Sequence, residues 1–487
     1  MKKSLVNYVL GWVLVVLGAM LIPPMIIALI YRETEYIYFG LISVGCLLFG
    51  LIATRFKPKN SQMNAREGFI ACSLTWILMS VIGCLPFWIS RQIPKFIDAL
   101  FEFVSGFTTT GATILGTDRQ IEDLSKCMLF WRSFTNWAGG MGILVFLLAV
   151  ITPLSGQSNM HLMKAESPGP VVSKLIPKLR GTASLLYIIY AVLTGIQFLI
   201  LLISGMNWFE ALTVSFSTAG TGGLSVRNDG IMAYEGHYFW QAVITAFMFI
   251  FAVNFSVYYL IIIKKFKQII KIEELHWYFG IYAAAVLAIG LDLTFEGRMG
   301  SQLEIWHHTA FQVGTFISST GFASYDFDTW PEFSKMILIV VAFIGACAGS
   351  TGGGFKVSRI IILVKSAIKE FGTTLHPNSV KTVKIDGKTV KDETIRSVSS
   401  YLSIFLFIYL VSVLIISVDG FDFETNFTAV LATINNMGPG LNLVGPTKNF
   451  YDFSIVSKIV LIFDMLAGRL ELLPLLFLFD KSCWKSK

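Results

Sequence analysis

Four short segments carry the residues most able to do chemistry: Thr108-Thr109-Thr110-Gly111, Ala219-Gly220-Thr221-Gly222, Ser318-Ser319-Thr320-Gly321 and Asn435-Asn436-Met437-Gly438. Each ends in a glycine preceded by small hydroxyl or amide residues, with Met437 the departure. Glycine reaches φ > 0 without a Cβ penalty, so such a turn can aim successive carbonyl oxygens at one point. Rings of carbonyls replace the hydration shell of a cation. The predicted ligand set is therefore Thr110, Gly111, Thr221, Gly222, Thr320, Gly321, Met437 and Gly438. No acidic or basic side chain lies in these motifs, so selection would rest on carbonyl dipoles rather than on a charged ring.

The elements that must position these turns repeat with them. In each case an apolar span, a short amphipathic segment, the turn and a second span follow in order. The copies run Gly68–Ser90, Phe96–Phe107 and Cys127–Leu154; Gly181–Ser204, Trp208–Phe216 and Tyr238–Ile263; His276–Phe295, Glu304–Thr315 and Phe333–Lys369; and Ser397–Val418, Phe423–Leu431 and Phe453–Phe479. The closing glycines recur every 100–115 residues or so, the scale of repeated domains rather than of a solenoid. The amphipathic segments are too short to span a bilayer and read as re-entrant pore helices. Asp98, Glu210 and Glu424 near their starts suit the positive end of a helix dipole. The chain divides into a two-helix region (1–66) and pore repeats at 67–160, 161–272, 273–375 and 376–487. The expected fold is an all-α polytopic membrane protein: four membrane helix–pore helix–membrane helix repeats in pseudo-fourfold arrangement, preceded by two extra transmembrane helices, with ten full spans.

Composition agrees with a membrane setting. Of 487 residues 54% are hydrophobic and 14% charged, and mean hydropathy is +0.68, against about 25% charged residues in soluble chains. Lys2 and Lys3 precede an apolar run that extends to Ile30, too long for a signal core, and it reads as a retained helix. The net charge of +7 collects in alternate connections: Arg55–Arg66, Lys164–Arg180, Lys264–Lys271, Lys356–Arg396 and Lys481–Lys487. Such alternation places these connections and both termini in the cytoplasm and makes the basic excess topogenic, not a nucleic-acid footprint. The six cysteines are scattered without a CxxC pair, which suggests neither a disulfide framework nor a metal site. His307-His308 has no neighbouring ligands in sequence. No nucleophile–base pair lies in a span, so an enzyme is not expected.

Residues 345–354 hold Gly345, Gly349, Gly352, Gly353 and Gly354 inside the third repeat's second span. Each costs a helix about 1 kcal/mol relative to alanine, roughly 5 kcal/mol together, so the span should break into an intramembrane loop. A phosphate-binding reading of this stretch fails because Phe355 separates Gly354 from Lys356 and Val357 follows. Arg469 lies in the middle of the last apolar run, where a charge is normally kept for function. Loop and arginine together are predicted to form a gate. Trp137-Ala-Gly-Gly-Met-Gly142 reads as close packing through small residues.

These motifs resemble those of the Trk/Ktr/HKT superfamily of potassium transporters, and most those of its bacterial TrkH/TrkG branch. The resemblance rests on Phe107-Thr-Thr-Thr-Gly111-Ala-Thr, Ser319-Thr-Gly321-Phe, Asn436-Met-Gly438-Pro-Gly-Leu, Trp137-Ala-Gly-Gly-Met-Gly142, Ala348-Gly-Ser-Thr-Gly-Gly-Gly354 and Gly468-Arg-Leu-Glu471. It covers nearly the whole chain, and the two-helix start favours TrkH over the shorter KtrB branch. The second loop departs by carrying Gly220 and Leu224 where alanine and phenylalanine are usual. The resemblance implies potassium uptake across the cell (inner) membrane, a homodimer, and a cytosolic nucleotide-binding ring of the TrkA type docked on Lys264–Lys271 and Lys356–Arg396. It also implies a gating loop in the third repeat near the arginine. A secondary transporter coupling potassium to protons or sodium is the alternative, with Asp464 the main candidate relay.

Overall fold

The computed structural model describes residues 3–56, 64–142, 179–297, 300–377 and 381–481. Helices dominate; among the described residues the only sheet is a two-stranded ribbon pairing Lys384–Ile385 with Lys388–Thr389. It sits in the basic connection just before the fourth repeat's first helix, Asp392–Ile416.

Among the described residues six helices or helix pairs are long and apolar enough to cross a membrane: Leu5–Tyr31, Tyr36–Arg55, Arg66–Ile89, Ser184–Ile203, Glu273–Glu296 and Asp392–Asp419. They are the two N-terminal elements and the first element of each repeat. Pro23 and Pro24 fall at the start of the helix Ile22–Tyr31, where a missing N–H does no harm, so the N-terminal span steps at Leu21 without being lost. It packs on Tyr36–Arg55 through small residues: a Cβ on Gly50 would lie 2.8 Å from the Gly11 oxygen, and Ser43 donates to the Gly18 oxygen at 2.7 Å. Glu33, in the turn between the two, caps the first repeat's second helix by accepting from the N–H groups of Lys126 and Cys127. This cap explains why Glu33, Glu35 and Cys127 converge. The five described cysteines are buried and none is in a disulfide; Cys483 lies outside the described residues.

The second elements correct the expectation of ten full spans: the break expected in the third repeat is present, and the second and fourth repeats are interrupted as well. In the second repeat Tyr238–Ala252 and Phe255–Ile262 meet at 92°, with the Asn254 side chain capping the new helix at the Ser256 N–H. In the third, Glu332–Ile344 and Val357–Leu375 are separated by a loop. In the fourth, Ile455–Arg469 ends in two consecutive left-handed residues, Glu471 (φ 55°) and Leu472 (φ 62°), before a short turn at Leu473–Leu476. The first repeat's is helical over Lys126–Gly140; its expected continuation to Leu154 lies outside the described residues, as do Lys164, Lys174 and Lys178.

These interruptions sit against the ends of the pore helices Phe96–Phe107, Trp208–Gly220, Gln302–Ile317 and Phe423–Ile434. A Cβ on Gly139 would lie 1.9 Å from the Phe107 oxygen, one on Gly352 2.7 Å from the Ser318 oxygen, and one on Gly468 2.0 Å from the Ile434 oxygen. Glycine is thus required where the second elements of the first, third and fourth repeats meet a pore-helix C-terminus. The Trp137–Gly142 segment belongs to this packing, since Gly140 would otherwise strike the Gly220 Cα at 2.7 Å.

Candidate functional site

Each pore helix runs into a turn of the same construction. A left-handed residue comes first, at Thr109 (φ 57°), Thr221 (φ 54°), Ser319 (φ 55°) and Asn436 (φ 52°). One residue later the chain donates back into the helix: Thr110 N–H to the Ser105 oxygen, Gly222 to Ser217, Thr320 to Thr315 and Met437 to Ala432, at 2.8–3.1 Å. A left-handed glycine follows, at Gly111 (φ 85°), Gly223 (φ 62°), Gly321 (φ 83°) and Gly438 (φ 100°).

That register differs from the sequence-based one in the second loop. Gly223, not Gly222, corresponds to Gly111, Gly321 and Gly438, and Gly222 takes the place of Thr110. Two adjacent glycines, Gly222 and Gly223, hide the frame in the sequence. Thr221 then matches Thr109, Ser319 and Asn436.

The four left-handed glycines close a ring. The Cβ absent from Gly111 would lie 2.1 Å from the Gly222 oxygen; that of Gly223, 2.2 Å from the Thr320 oxygen; that of Gly321, 2.0 Å from the Met437 oxygen; and that of Gly438, 2.7 Å from the Thr110 oxygen. Each loop therefore receives the carbonyl of the next, from first to second, third, fourth and back. A cavity of about 260 Å³ lies over this ring and has all four glycines in its wall. Next in sequence to the lining residue Phe450, Tyr451 donates to Asp118; this bond and, secondarily, burial push its phenol up to about 12.

Side chains on the second elements tie neighbouring repeats together. Arg132 pairs with Glu102 at 2.7 Å in full burial and donates from Nη1 to the Ser225 oxygen of the second repeat at 2.8 Å. Gln241 shares a 2.7 Å hydrogen bond with His307 of the third pore helix. Lys335 lies 3.6 Å from Glu424 of the fourth, and Lys458 2.7 Å from Asp98 of the first. Asp98 and Glu424, in pore-helix first turns, thus serve both the helix dipole and the joining of neighbouring repeats, whereas Glu210 pairs with Arg227 of its own repeat. His307-His308 is accounted for by Gln241 and by Ser324, 3.0 Å from His308 Nδ1.

Beneath the ring lies the loop between Gly345 and Lys356. Its N–H groups reach three repeats: Cys347 donates to the Ala252 oxygen (3.1 Å), Gly354 to the Asn435 oxygen (3.0 Å), and Gly353 to the Ser319 hydroxyl. Ala348 donates to the Glu274 carboxylate at 2.7 Å. Gly345, Gly349 and Gly354 have φ of 71–82°; Gly352 and Gly353 are needed for room, since a Cβ on Gly353 would lie 2.1 Å from the Asn435 oxygen. Arg469 gathers the loop into the centre. It donates to the Thr351 oxygen (2.9 Å), the Thr109 hydroxyl (3.1 Å) and the oxygens of Gly139 and Gly140. Its nearest carboxylates in sequence have other engagements: Glu471 pairs with Arg359, and Asp464 accepts from Ser412 at 2.9 Å.

A family model described as TrkH, cation transport protein, matches residues 41–281 and 301–486. The chain belongs to the TrkH family. It is 33% identical to the Trk system potassium uptake protein TrkH of Escherichia coli K12 over 488 residues, 99% of each chain. It is 32% identical to that strain's TrkG over 496 residues, 99% of this chain and 98% of the relative. The crystal structure of the potassium transporter TrkH from Vibrio parahaemolyticus superposes with a TM-score of 0.88 at 31% identity, covering both chains completely. This TrkH-family chain is accordingly a multi-pass membrane protein with the fold its repeats implied.

Several residues at the TrkH-type site were missed by sequence reasoning. Gly223 was masked by its neighbour. Thr109, Ser319 and Asn436 were seen only as small polar residues, although they take the left-handed conformation in each turn. Glu274 lies about 70 residues before the loop it holds, and no local pattern links them.

Proposed function

We propose that this chain is a potassium-selective conduit for uptake across the cell membrane. Thr110, Gly111, Gly222, Gly223, Thr320, Gly321, Met437 and Gly438 supply its ion-binding carbonyls, with Thr221 shaping the second quarter. The observation that carries this reading is the ring in which each left-handed glycine admits the next loop's carbonyl. Four backbones at that distance leave no room for side chains between them, so oxygens line the path. Non-helical backbone at membrane depth is tolerated where it borders a water-filled route, and carbonyl rings are the filter chemistry suited to potassium. The relatives' printed names as potassium uptake proteins point the same way.

The loop Gly345–Gly354 and Arg469 form the closed gate on this reading, since a cation leaving the ring meets both. Basic connections and both termini face the cytoplasm of a plasma or inner membrane. The relatives' description as parts of a Trk system supports a multi-component assembly. In it two copies of this chain dock a cytosolic nucleotide-binding ring of the TrkA type. Bi-ionic reversal potentials in proteoliposomes fused to a planar bilayer test the function: potassium must be preferred over sodium, and equal permeability would overturn the reading.

A further inference from the structure

The second loop lacks side chains where the others have them. The first loop carries Thr108 and Thr110, whose hydroxyls lie 2.8 Å apart, and the third carries Ser318 and Thr320 at 2.7 Å. The fourth has Asn435 and Met437. The corresponding residues of the second are Gly220 and Gly222. Backbone conformation does not require glycine at Gly222, because it is absent from the positive-φ residues. Space does. A Cβ there would fall 2.0 Å from Oδ1 and 2.7 Å from Nδ2 of Asn136, and one on Gly220 would fall 2.3 Å from the Asn136 main-chain oxygen.

Asn136 comes from the first repeat's second helix, is 0% exposed, and neither of its amide atoms has a hydrogen-bonding partner among the described residues. Burying an amide unpaired costs about 1–3 kcal/mol, so a packing role alone would be served better by leucine. We propose that Asn136 is a selectivity-determining residue. Its amide occupies the position of the missing Gly222 side chain and provides the polar group that Thr110 and Thr320 provide in their own loops. The proposal rests on the filter reading above and names the residue that completes its second quarter.

The test is the potassium-to-sodium permeability ratio from bi-ionic reversal potentials, with size-exclusion profiles to confirm folding. Asn136→Leu keeps the volume and removes the amide; it should lower the ratio about tenfold, equivalent to about 1.4 kcal/mol. Gly222→Thr alone should abolish current by colliding with Asn136. Asn136→Ala combined with Gly222→Thr returns a hydroxyl to the loop and should recover most of the ratio. Gly321→Ser serves as the control. If it lowers the ratio while Asn136→Leu does not, the assignment of Asn136 is wrong and the filter stands. A double variant no better than Asn136→Ala alone also overturns the assignment. If Gly321→Ser and the same change at Gly111, Gly223 and Gly438 all leave the ratio unchanged, the filter reading fails first.

Discussion

Arg469 of the fourth repeat donates from Nη1 to the main-chain oxygen of Thr351 at 2.9 Å, and Thr351 lies in the loop inserted by the third repeat. The same guanidinium reaches Thr109 at the first turn. One side chain thereby joins that loop to the turn above it, and on the proposed gate reading its charge lies on the cation's route. At an effective dielectric of about 20, unit charges about 8 Å apart repel by roughly 2 kcal/mol, about thirtyfold in occupancy. Arg469→Ala is expected to raise potassium flux several-fold in proteoliposomes and to leave ion preference intact. A folded variant with unchanged or lower flux would place the gate elsewhere.

Glu274 holds the other half of that loop through the Ala348 N–H at 2.7 Å. Charge-assisted bonds of this kind contribute about 1.5–3 kcal/mol. Glu274→Ala should loosen the loop and raise flux in the same assay, by less than Arg469→Ala because the positive charge remains. A drop in flux with normal folding would show that this contact favours the open state instead.

The break in the third repeat could be read directly because five glycines within ten residues leave a helix little to gain. The other interruptions could not. In the second repeat one asparagine, Asn254, redirects the chain by capping a new helix, and the surrounding sequence is as apolar as an unbroken span. In the fourth, the left-handed pair Glu471-Leu472 consists of residues that ordinarily avoid φ > 0, so tertiary contacts overrode local preference. The four turns were legible from their glycines, whereas the register of the second required knowing which carbonyl fills which gap.

Gly321 has φ 83°, and its absent Cβ would lie 2.0 Å from the Met437 oxygen. Gly321→Ser imposes about 1–2 kcal/mol of backbone strain and displaces that carbonyl. Sodium permeability should rise relative to potassium, measured as a shift in bi-ionic reversal potential. The same change at Gly111, Gly223 or Gly438 should act alike. Unchanged preference across all four would refute the ring as the selective element.

Lys458 and Asp98 join the fourth repeat to the first with side chains only 5% and 6% exposed. Removing one member of a buried pair costs about 3–5 kcal/mol, because the other charge is left uncompensated. Lys458→Met should therefore lower the thermal unfolding temperature in detergent markedly, and Lys458→Met with Asp98→Leu should recover most of it. Equal destabilisation of the single and double variants would show that the pair does not hold the repeats together.

The central claim is that a carbonyl ring conducts potassium passively, and single-channel recording of the purified protein in a planar bilayer tests it most directly. With potassium on both sides, discrete unitary currents should appear that reverse at the potassium equilibrium potential and do not depend on proton or sodium gradients. Asp464, bonded to Ser412 on the outer helix of its own repeat, is then no relay, and Asp464→Asn should preserve those currents. Potassium movement without unitary currents, reversing at a potential set by a proton or sodium gradient and lost in Asp464→Asn, would contradict the account.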